Sequence, residues 1–296
     1  MHLLDTYSLT KPLIRQIFKT TDEMHRALVS GNKSLNTHAG KSAVLLFYEN
    51  STRTALSFEK AAQFLGMSVT NLNVAASSVQ KGENIADTAR TINAYKTDLV
   101  IMRHQMPGAV SLFAENFCGS VINGGDGAHS HPTQALYDAY TIQRILGAVE
   151  GKKIAIVGDI KHSRVARSNM DVLAKLGARV VLFGPRTLLP RELEGAEISP
   201  SLRAALSDAD VVMTVRIQNE RAAAGFIPSA SEYAKYFGLN TENIKLAKPG
   251  APVMHPAPVN WGVEISIPLV NSPQCVKDIQ AEYGLALRMA LIKTIL

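Results

Sequence analysis

Cysteine is scarce in this chain, which holds two, Cys118 and Cys275. They lie far apart, in no Cys-x-x-Cys spacing and beside no paired His spacing that would suit zinc, which argues against a disulfide framework and for a reducing, cytoplasmic setting. Aromatic residues make up 6% of the chain, and no aromatic stripe interleaves with a Lys/Arg run to track a nucleic-acid backbone. No apolar run approaches the ~20 residues needed to span a bilayer. The start, Met1-His2-Leu3-Leu4-Asp5, lacks both the basic region and the apolar core of a signal peptide. Internal repeats and low-complexity tracts are missing as well, and 46% hydrophobic with 19% charged residues speaks against disorder, fibrous repeats and coiled coils. The expectation is a soluble cytoplasmic protein, with no nucleic acid and no membrane among its partners.

What is there begins with size. A chain of 296 residues predicts about two domains at roughly 100–200 residues each, enough to bury full cores without staples or metals. The net charge of +6 and an isoelectric point near 9.3 leave anionic small molecules as the partners to consider.

Ala43 to Tyr48 reads as a buried strand, and Arg53 to Leu65 carries apolar residues at Ala55, Phe58, Ala62 and Leu65, a helical spacing closed by Gly66. The alternation continues with a strand at Ser68–Leu72, a helix at Asn84–Tyr95, a strand at Asp98–Met102, a helix at Ala109–Phe117 and a strand at Ser120–Asn123. A Gly-rich turn, Gly124 to Gly127, then leads to Pro132 at the start of a helix running to about Leu146. The pattern restarts at Lys153–Val157, with a helix from about Val165 to Leu176, a strand at Arg179–Phe183 and another at Asp210–Val215. A last helix, Asp278 to Leu296, is placed to pack back on either domain. Such alternation predicts an α/β protein: two parallel-sheet domains with helices on both faces, joined by linking helices. The expected boundaries are 1–131, a linking helix 132–147, a second domain 148–277 and the C-terminal helix 278–296.

Glu49-Asn50-Ser51-Thr52-Arg53-Thr54 falls between a strand and a helix start, where free backbone N–H groups and the macrodipole favour an anion. Ser51 there can simply cap the helix, but Arg53 among three hydroxyls offers bidentate donors to a tetrahedral anion. Two decoys are set aside. Gly40-Lys41-Ser42 resembles the end of a P-loop, but Leu35 occupies the required earlier Gly and the segment precedes a strand. Ile154 to Asp159 resembles the opening of a dinucleotide fold, but no second or third Gly follows, and the turn carries Ser163, Arg164 and Arg167 instead, chemistry for carboxylates.

Arg103 stands at the C-terminal end of a strand, the edge where open α/β sheets place ligands, and is a second anion candidate. His131-Pro132-Thr133-Gln134 occupies another helix start, where the dipole favours a neutral imidazole able to donate to a carbonyl oxygen. A structural His131, or a metal shared with His129, are the plainer alternatives. Arg216 and Gln218 are expected on one alternating face at the end of a strand. His255-Pro256-Ala257-Pro258 forms a rigid turn whose carbonyls can face a ligand.

Together these segments resemble the aspartate/ornithine carbamoyltransferase family, over nearly the whole chain from Leu3-Leu4-Asp5 and Ser8-Leu9-Thr10 to the last helix. Ser51-Thr52-Arg53-Thr54 matches the family's carbamoyl phosphate signature, and His131-Pro132-Thr133-Gln134 matches a second one. Ornithine members typically carry His-Cys-Leu-Pro where this chain has His255-Pro256-Ala257-Pro258, which favours the aspartate branch, as does Arg216-Ile217-Gln218. Two positions depart from the family: Ala55 and Trp261 stand where relatives commonly have Arg.

The resemblance implies transfer of the carbamoyl group of carbamoyl phosphate to the amine of L-aspartate, in pyrimidine biosynthesis, with no metal and no cofactor. It implies that the first domain binds carbamoyl phosphate, the second binds aspartate, and the C-terminal helix packs towards the first. Ser51, Thr52, Arg53 and Thr54 would hold the phosphate, with Arg103, His131 and Gln134 on the carbamoyl group and backbone groups of Ala257 and Pro258 completing that pocket. Arg53, Thr54, Arg103 and His131 form the implied catalytic set. Arg164, Arg216 and Gln218 would bind the aspartate carboxylates. Ser77 and Lys81 match residues that reach a neighbouring subunit's site, Lys81 also towards aspartate, which implies a homotrimer with shared active sites. A regulatory chain or a dihydroorotase is the further partner the resemblance suggests. The alternatives are a transcarbamoylase for another amine and a silent scaffold chain for a partner enzyme.

Overall fold

The side chains of Ala43, Leu45 and Leu46 are buried in strand β1, Ser42–Phe47, as expected of an apolar run covered on both faces by helices. The computed structural model describes residues 1–72, 82–190, 194–218 and 229–296, and the chain divides into two units, Met1–Tyr137 with Glu282–Leu296, and Asp138–Ala281.

In the first unit, helix α1 (Lys11–Val29) precedes β1, followed by α2 (Thr52–Phe64), β2 (Ser68–Leu72), α3 (Ile85–Ala94), β3 (Leu99–His104), α4 (Ala109–Glu115), β4 (Ser120–Asp126) and the start of α5 (Pro132–Leu146). Helix α1 occupies a segment to which the sequence reading assigned no element. Its signals are local: the Leu13 N–H donates to the Thr10 hydroxyl at 3.3 Å, a proline sits in the first turn, and Ile14, Ile17, Phe18, Thr21 and Met24 are buried along one face. The four strands run in the order β2-β1-β3-β4, every pair parallel. Met102, Val110, Phe113 and Val121 belong to the core on one side of this sheet.

The turn expected at Gly124–Gly127 is largely strand. β4 continues through Gly124, Gly125 and Asp126, all buried, and its register against β3 shifts so that His104 pairs with Asp126. Glycine without a Cβ allows this close, irregular pairing. The end of the last helix, α10 (Lys277–Ile295), closes the unit. The Arg288 guanidinium there lies over the Phe58 and Tyr137 rings, 5.0 and 5.3 Å from their centroids, and donates to the Ser57 hydroxyl.

The second unit contains β5 (Lys153–Gly158), α6 (Arg164–Lys175), β6 (Arg179–Phe183), β7 (Glu197–Ile198), α7 (Leu202–Leu206), β8 (Val211–Val215), α8 (Ala230–Phe237), β9 (Val253–Met254) and α9 (Ile267–Val270). Its sheet has the order β7-β6-β5-β8-β9, again all parallel. Ala155, Val157, Val212, Val253 and Leu269 form its main core.

Both sheets share one topological property. In the first, the chain leaves β1 for β2 on one side and returns to β3 on the other; in the second it leaves β5 for β6 and β7, then returns to β8. Connections that diverge from neighbouring strand ends open a crevice there, and the two switch points are therefore β1/β3 and β5/β8. Among the described residues, no helix is long and apolar enough to cross a membrane.

Candidate active site

At the β1/β3 switch point, Ser51 is the N-cap of α2 with extended backbone, φ −157° and ψ 98°, and its side chain makes no capping hydrogen bond. The plain reading of Ser51 as a helix cap is thus not what the hydroxyl does. The N-cap hydroxyls of Thr10, Ser163, Ser201 and Ser229 each accept from a first-turn N–H of their helix, whereas Ser266, at the start of the four-residue α9, like Ser51 does not. The first turn of α2 presents its N–H groups and dipole with Thr52 and Arg53 exposed and Thr54 buried.

Arg103, on β3, comes to the same edge. Its Nε donates to Glu49 Oε1 at 2.7 Å and its Nη1 to the Gly124 carbonyl at 3.4 Å, while the Tyr48 N–H donates to the Arg103 carbonyl at 2.9 Å. The guanidinium is braced between the ends of β1 and β4. Glu49 was not singled out from sequence; its adjacency to Ser51 was the available signal, but its partner is 54 residues away.

His131 and Gln134 stand at the start of α5, both buried, and the Tyr137 hydroxyl donates to Gln134 Oε1. The approach to His131 is organised by Asp126. This buried carboxylate accepts from the N–H groups of Gly108 at 3.0 Å and Ser130 at 3.1 Å and from the Asn123 amide at 2.8 Å. His129 Nδ1 also lies 3.0 Å from it, so His129 has a carboxylate partner, and among the described residues no group of three or more His, Cys, Asp or Glu side chains is placed to hold a metal. Burial pushes the Asp126 carboxyl up, but the hydrogen bonds from His129, Asn123 and Gly108 outweigh it and hold it below the usual carboxylate range.

The second unit repeats the arrangement at β5/β8. Ser163 caps α6, accepting from the Ala166 N–H at 3.1 Å, and Arg164 occupies the first helical position, buried. Arg216 and Gln218 lie beyond β8, which ends at Val215. The alternating face expected for them therefore does not apply, because no ladder extends past Val215 to impose it. What aligns this segment is Asp159, fully buried: it accepts from the Gln218 N–H at 3.2 Å, from the His162 N–H at 3.2 Å and contacts His162 Nδ1 at 2.9 Å. One carboxylate thus ties the loop that leads into α6 and Arg164 to the loop bearing Arg216 and Gln218. The neighbouring strand β9 runs into His255-Pro256-Ala257-Pro258, where Ala257 has φ 54° and the Ala257–Pro258 peptide is cis. Ser77 and Lys81 lie outside the described residues.

Two family models divide the chain between them. Residues 1–144 match the carbamoyl-P binding domain of aspartate/ornithine carbamoyltransferase, and residues 150–295 match the Asp/Orn binding domain. This chain belongs to the aspartate/ornithine carbamoyltransferase family. Within that family it is 48% identical to an aspartate carbamoyltransferase catalytic subunit of Acetivibrio thermocellus, over 98% of this chain and 94% of that one. It is 47% identical to the catalytic subunit of Mesorhizobium japonicum, over 100% and 91% of the two chains. Among solved structures, the aspartate transcarbamoylase of Trypanosoma cruzi in complex with N-(phosphonacetyl)-L-aspartic acid superposes with a TM-score of 0.92 at 32% identity, covering 100% of this chain and 95% of that one. The ornithine carbamoyltransferase of Pyrococcus furiosus gives 0.90 at 31% identity, covering 99% and 96%. Both acceptor branches of the family thus share this fold.

Proposed function

We propose that this chain is an aspartate carbamoyltransferase, moving the carbamoyl group of carbamoyl phosphate to the amine of L-aspartate to give N-carbamoyl-L-aspartate and phosphate, in the pyrimidine pathway. The observation that carries this reading is the start of α2, where the Ser51 hydroxyl is not spent on capping and the helix N-terminus, Thr52 and Arg53 remain presented beside a braced Arg103. That is a phosphate site made of hydroxyls, backbone N–H groups and guanidinium donors. The aspartate branch is supported by relatives at 46–48% identity that are catalytic subunits of aspartate carbamoyltransferase.

The residues take the following roles. Ser51, Thr52, Arg53 and Thr54 hold the phosphate; Arg103, His131 and Gln134 address the carbamoyl group, with backbone groups of Ala257 and Pro258. Arg164, Arg216 and Gln218 bind the two carboxylates of aspartate. The amine attacks the carbamoyl carbon, forming a C–N bond, and the carbonyl oxygen becomes an oxyanion that donors from Thr54, Arg103 and His131 stabilise as it forms. The C–O bond to phosphate then breaks, and the departing phosphate takes the amine proton. Fixing both reactants is the entropic part of the rate gain. The first domain, 1–131, serves carbamoyl phosphate and the second, 148–277, serves aspartate, with helix 132–147 linking them and the C-terminal helix 278–296 packing back towards the first.

The protein works in the cytoplasm as a homotrimer with shared active sites, Ser77 and Lys81 serving the neighbouring subunit's site. A regulatory chain or a dihydroorotase is the partner class to look for in larger assemblies. The test is incubation of the purified chain with carbamoyl phosphate and either aspartate or ornithine, measuring carbamoyl amino acid and phosphate. Product from aspartate alone supports the reading. Product from ornithine or another amine alone keeps the phosphate site and overturns the acceptor, and no product points to a missing partner chain or a silent scaffold.

A further inference from the structure

Backbone carbonyls have no rotamer of their own, so the turn at 257–258 can meet a ligand only as well as its surroundings aim it. Ala257 sits at φ 54°, in the left-handed region that a residue with a Cβ adopts only when neighbouring contacts impose it.

Those contacts are buried and polar. The Ala257 N–H donates to His255 Nδ1 at 2.8 Å, which places the imidazole proton on Nε2, and Nε2 donates to Glu264 Oε1 at 3.0 Å. The Asn260 N–H donates to the same carboxylate oxygen at 2.7 Å. The side chains of His255 and Glu264 are 1% and 0% exposed. One carboxylate and one imidazole therefore grip the segment from 257 to 260 at both ends. Behind them, the His255 N–H donates to Gln280 Oε1 at 3.0 Å, and the Gln280 amide donates to Asp138 Oδ1 at 2.8 Å. Asp138 Oδ2 in turn accepts from the Asn169 amide at 2.9 Å. All five side chains belong to the second unit, so the chain of bonds anchors the turn to α5, α6 and α10.

A buried carboxylate and imidazole are not the economical way to fill space, since an apolar pair of the same volume is often as stable or more so. Their use here is directional. We propose that Glu264 and His255 are positioning residues: the Glu264 carboxylate sets the tautomer and ring plane of His255, and His255 Nδ1 sets the Ala257 amide, aiming the carbonyls at 257 and 258. This rests on the reading above, in which those backbone groups meet the carbamoyl group. A carboxylate behind a histidine fixes a metal-bound imidazole in the same way; here the imidazole's other nitrogen holds a backbone amide.

The experiment compares His255→Leu and Glu264→Leu with His255→Asn and Glu264→Gln in the full chain. Asparagine at 255 can accept from the N–H two residues on, as in an Asx turn, and glutamine at 264 retains an acceptor oxygen. Calorimetric titration with carbamoyl phosphate and, separately, inorganic phosphate separates the turn from the phosphate site in the first unit. The expected result is carbamoyl phosphate affinity weakened about tenfold or more in the leucine variants, largely recovered in the asparagine and glutamine variants, with phosphate affinity unchanged in all four. An imidazole ¹⁵N spectrum of the wild type should show His255 protonated at Nε2.

Equal losses for the two ligands, leucine and conservative variants that behave alike, or a proton on Nδ1 each overturn the proposal. A wild-type chain that binds inorganic phosphate but not carbamoyl phosphate overturns the functional reading instead. In that case the hold itself is still decided by slow hydrogen exchange at the Ala257 amide, kept in His255→Asn and lost in His255→Leu.

Discussion

Glu49 Oε1 accepts a hydrogen bond from Arg103 Nε at 2.7 Å, with the two side chains 20% and 15% exposed. The pair spans the β1/β3 switch point, so the cation that the proposed reaction needs at the carbamoyl oxygen is held by a carboxylate on the loop leading to the Ser51–Thr54 turn.

Glu49→Gln keeps the shape and removes the charge. Folding stability should change by about 1 kcal/mol or less, the ordinary range for a partly exposed ion pair. Turnover should fall by about tenfold or more, because Arg103 loses its orientation. Urea unfolding alongside steady-state kinetics checks both, and unchanged turnover would remove Glu49 from the site.

Arg53→Ala removes an exposed guanidinium and should leave the unfolding free energy within about 0.5 kcal/mol. Turnover should drop about a hundredfold or more, the scale for losing one electrostatic donor to the reacting group. Near-normal turnover would sink the assignment of the phosphate site.

Arg216→Ala separates the two substrates. The KM for aspartate should rise about 10- to 100-fold, as expected when a charged hydrogen-bonding partner of a carboxylate is lost, while phosphate inhibition stays as in the wild type. A parallel loss of phosphate affinity would contradict the division of labour between the units.

Gly158 is at φ 138°, and a Cβ there would lie inside van der Waals contact of the Val215 carbonyl oxygen. Gly158→Ala must push β5 from β8 where Asp159 and Arg216 leave the sheet. Destabilisation of about 3 kcal/mol is expected, with the aspartate KM raised more than that for carbamoyl phosphate. Denaturant unfolding and kinetics of the surviving folded fraction provide the check.

The pH dependence of stability should carry the mark of His104. Burial pushes its imidazole below the ordinary value of 6.5, with the Glu49 and Asp126 carboxylates pulling the other way. The unfolded chain therefore binds the proton more readily, and stability falls as pH drops below about 6.5. Asp126, held low, adds its own loss in stronger acid, as pH falls through its folded-state value. His104→Asn keeps an acceptor for the Met106 N–H, bonded at 2.9 Å in the wild type, and should flatten the slope between pH 5 and 7; an unaltered slope would assign it to other groups.

Periodicity and punctuation by themselves placed strands β1 to β6 and β8 and helices α2 to α6 and α10, because alternation, Pro132 and the glycines after helices act over a few residues; β7, α7, α8, β9 and α9 did not stand out from the chain. Helix α1 was equally local, with Thr10, a first-turn proline and an apolar face, and went unassigned although its signals were present. The motifs at Ser51–Thr54, Arg103 and Arg164 could be read as anion chemistry, and His131–Gln134 as a donor to a carbonyl oxygen, because strand-end and helix-start positions are legible along the chain. Only the tertiary structure decided which strands stand side by side, and with that the two switch points, the shift that extends β4 to Asp126 and the end of β8 at Val215. It also decided the partners Glu49–Arg103, Asp159–Gln218 and His255–Glu264, which are 54, 59 and 9 residues apart. A carboxylate in sequence announces a charge but not the distant group it will hold, because hydrogen bonds act over 3 Å of space and not along the chain.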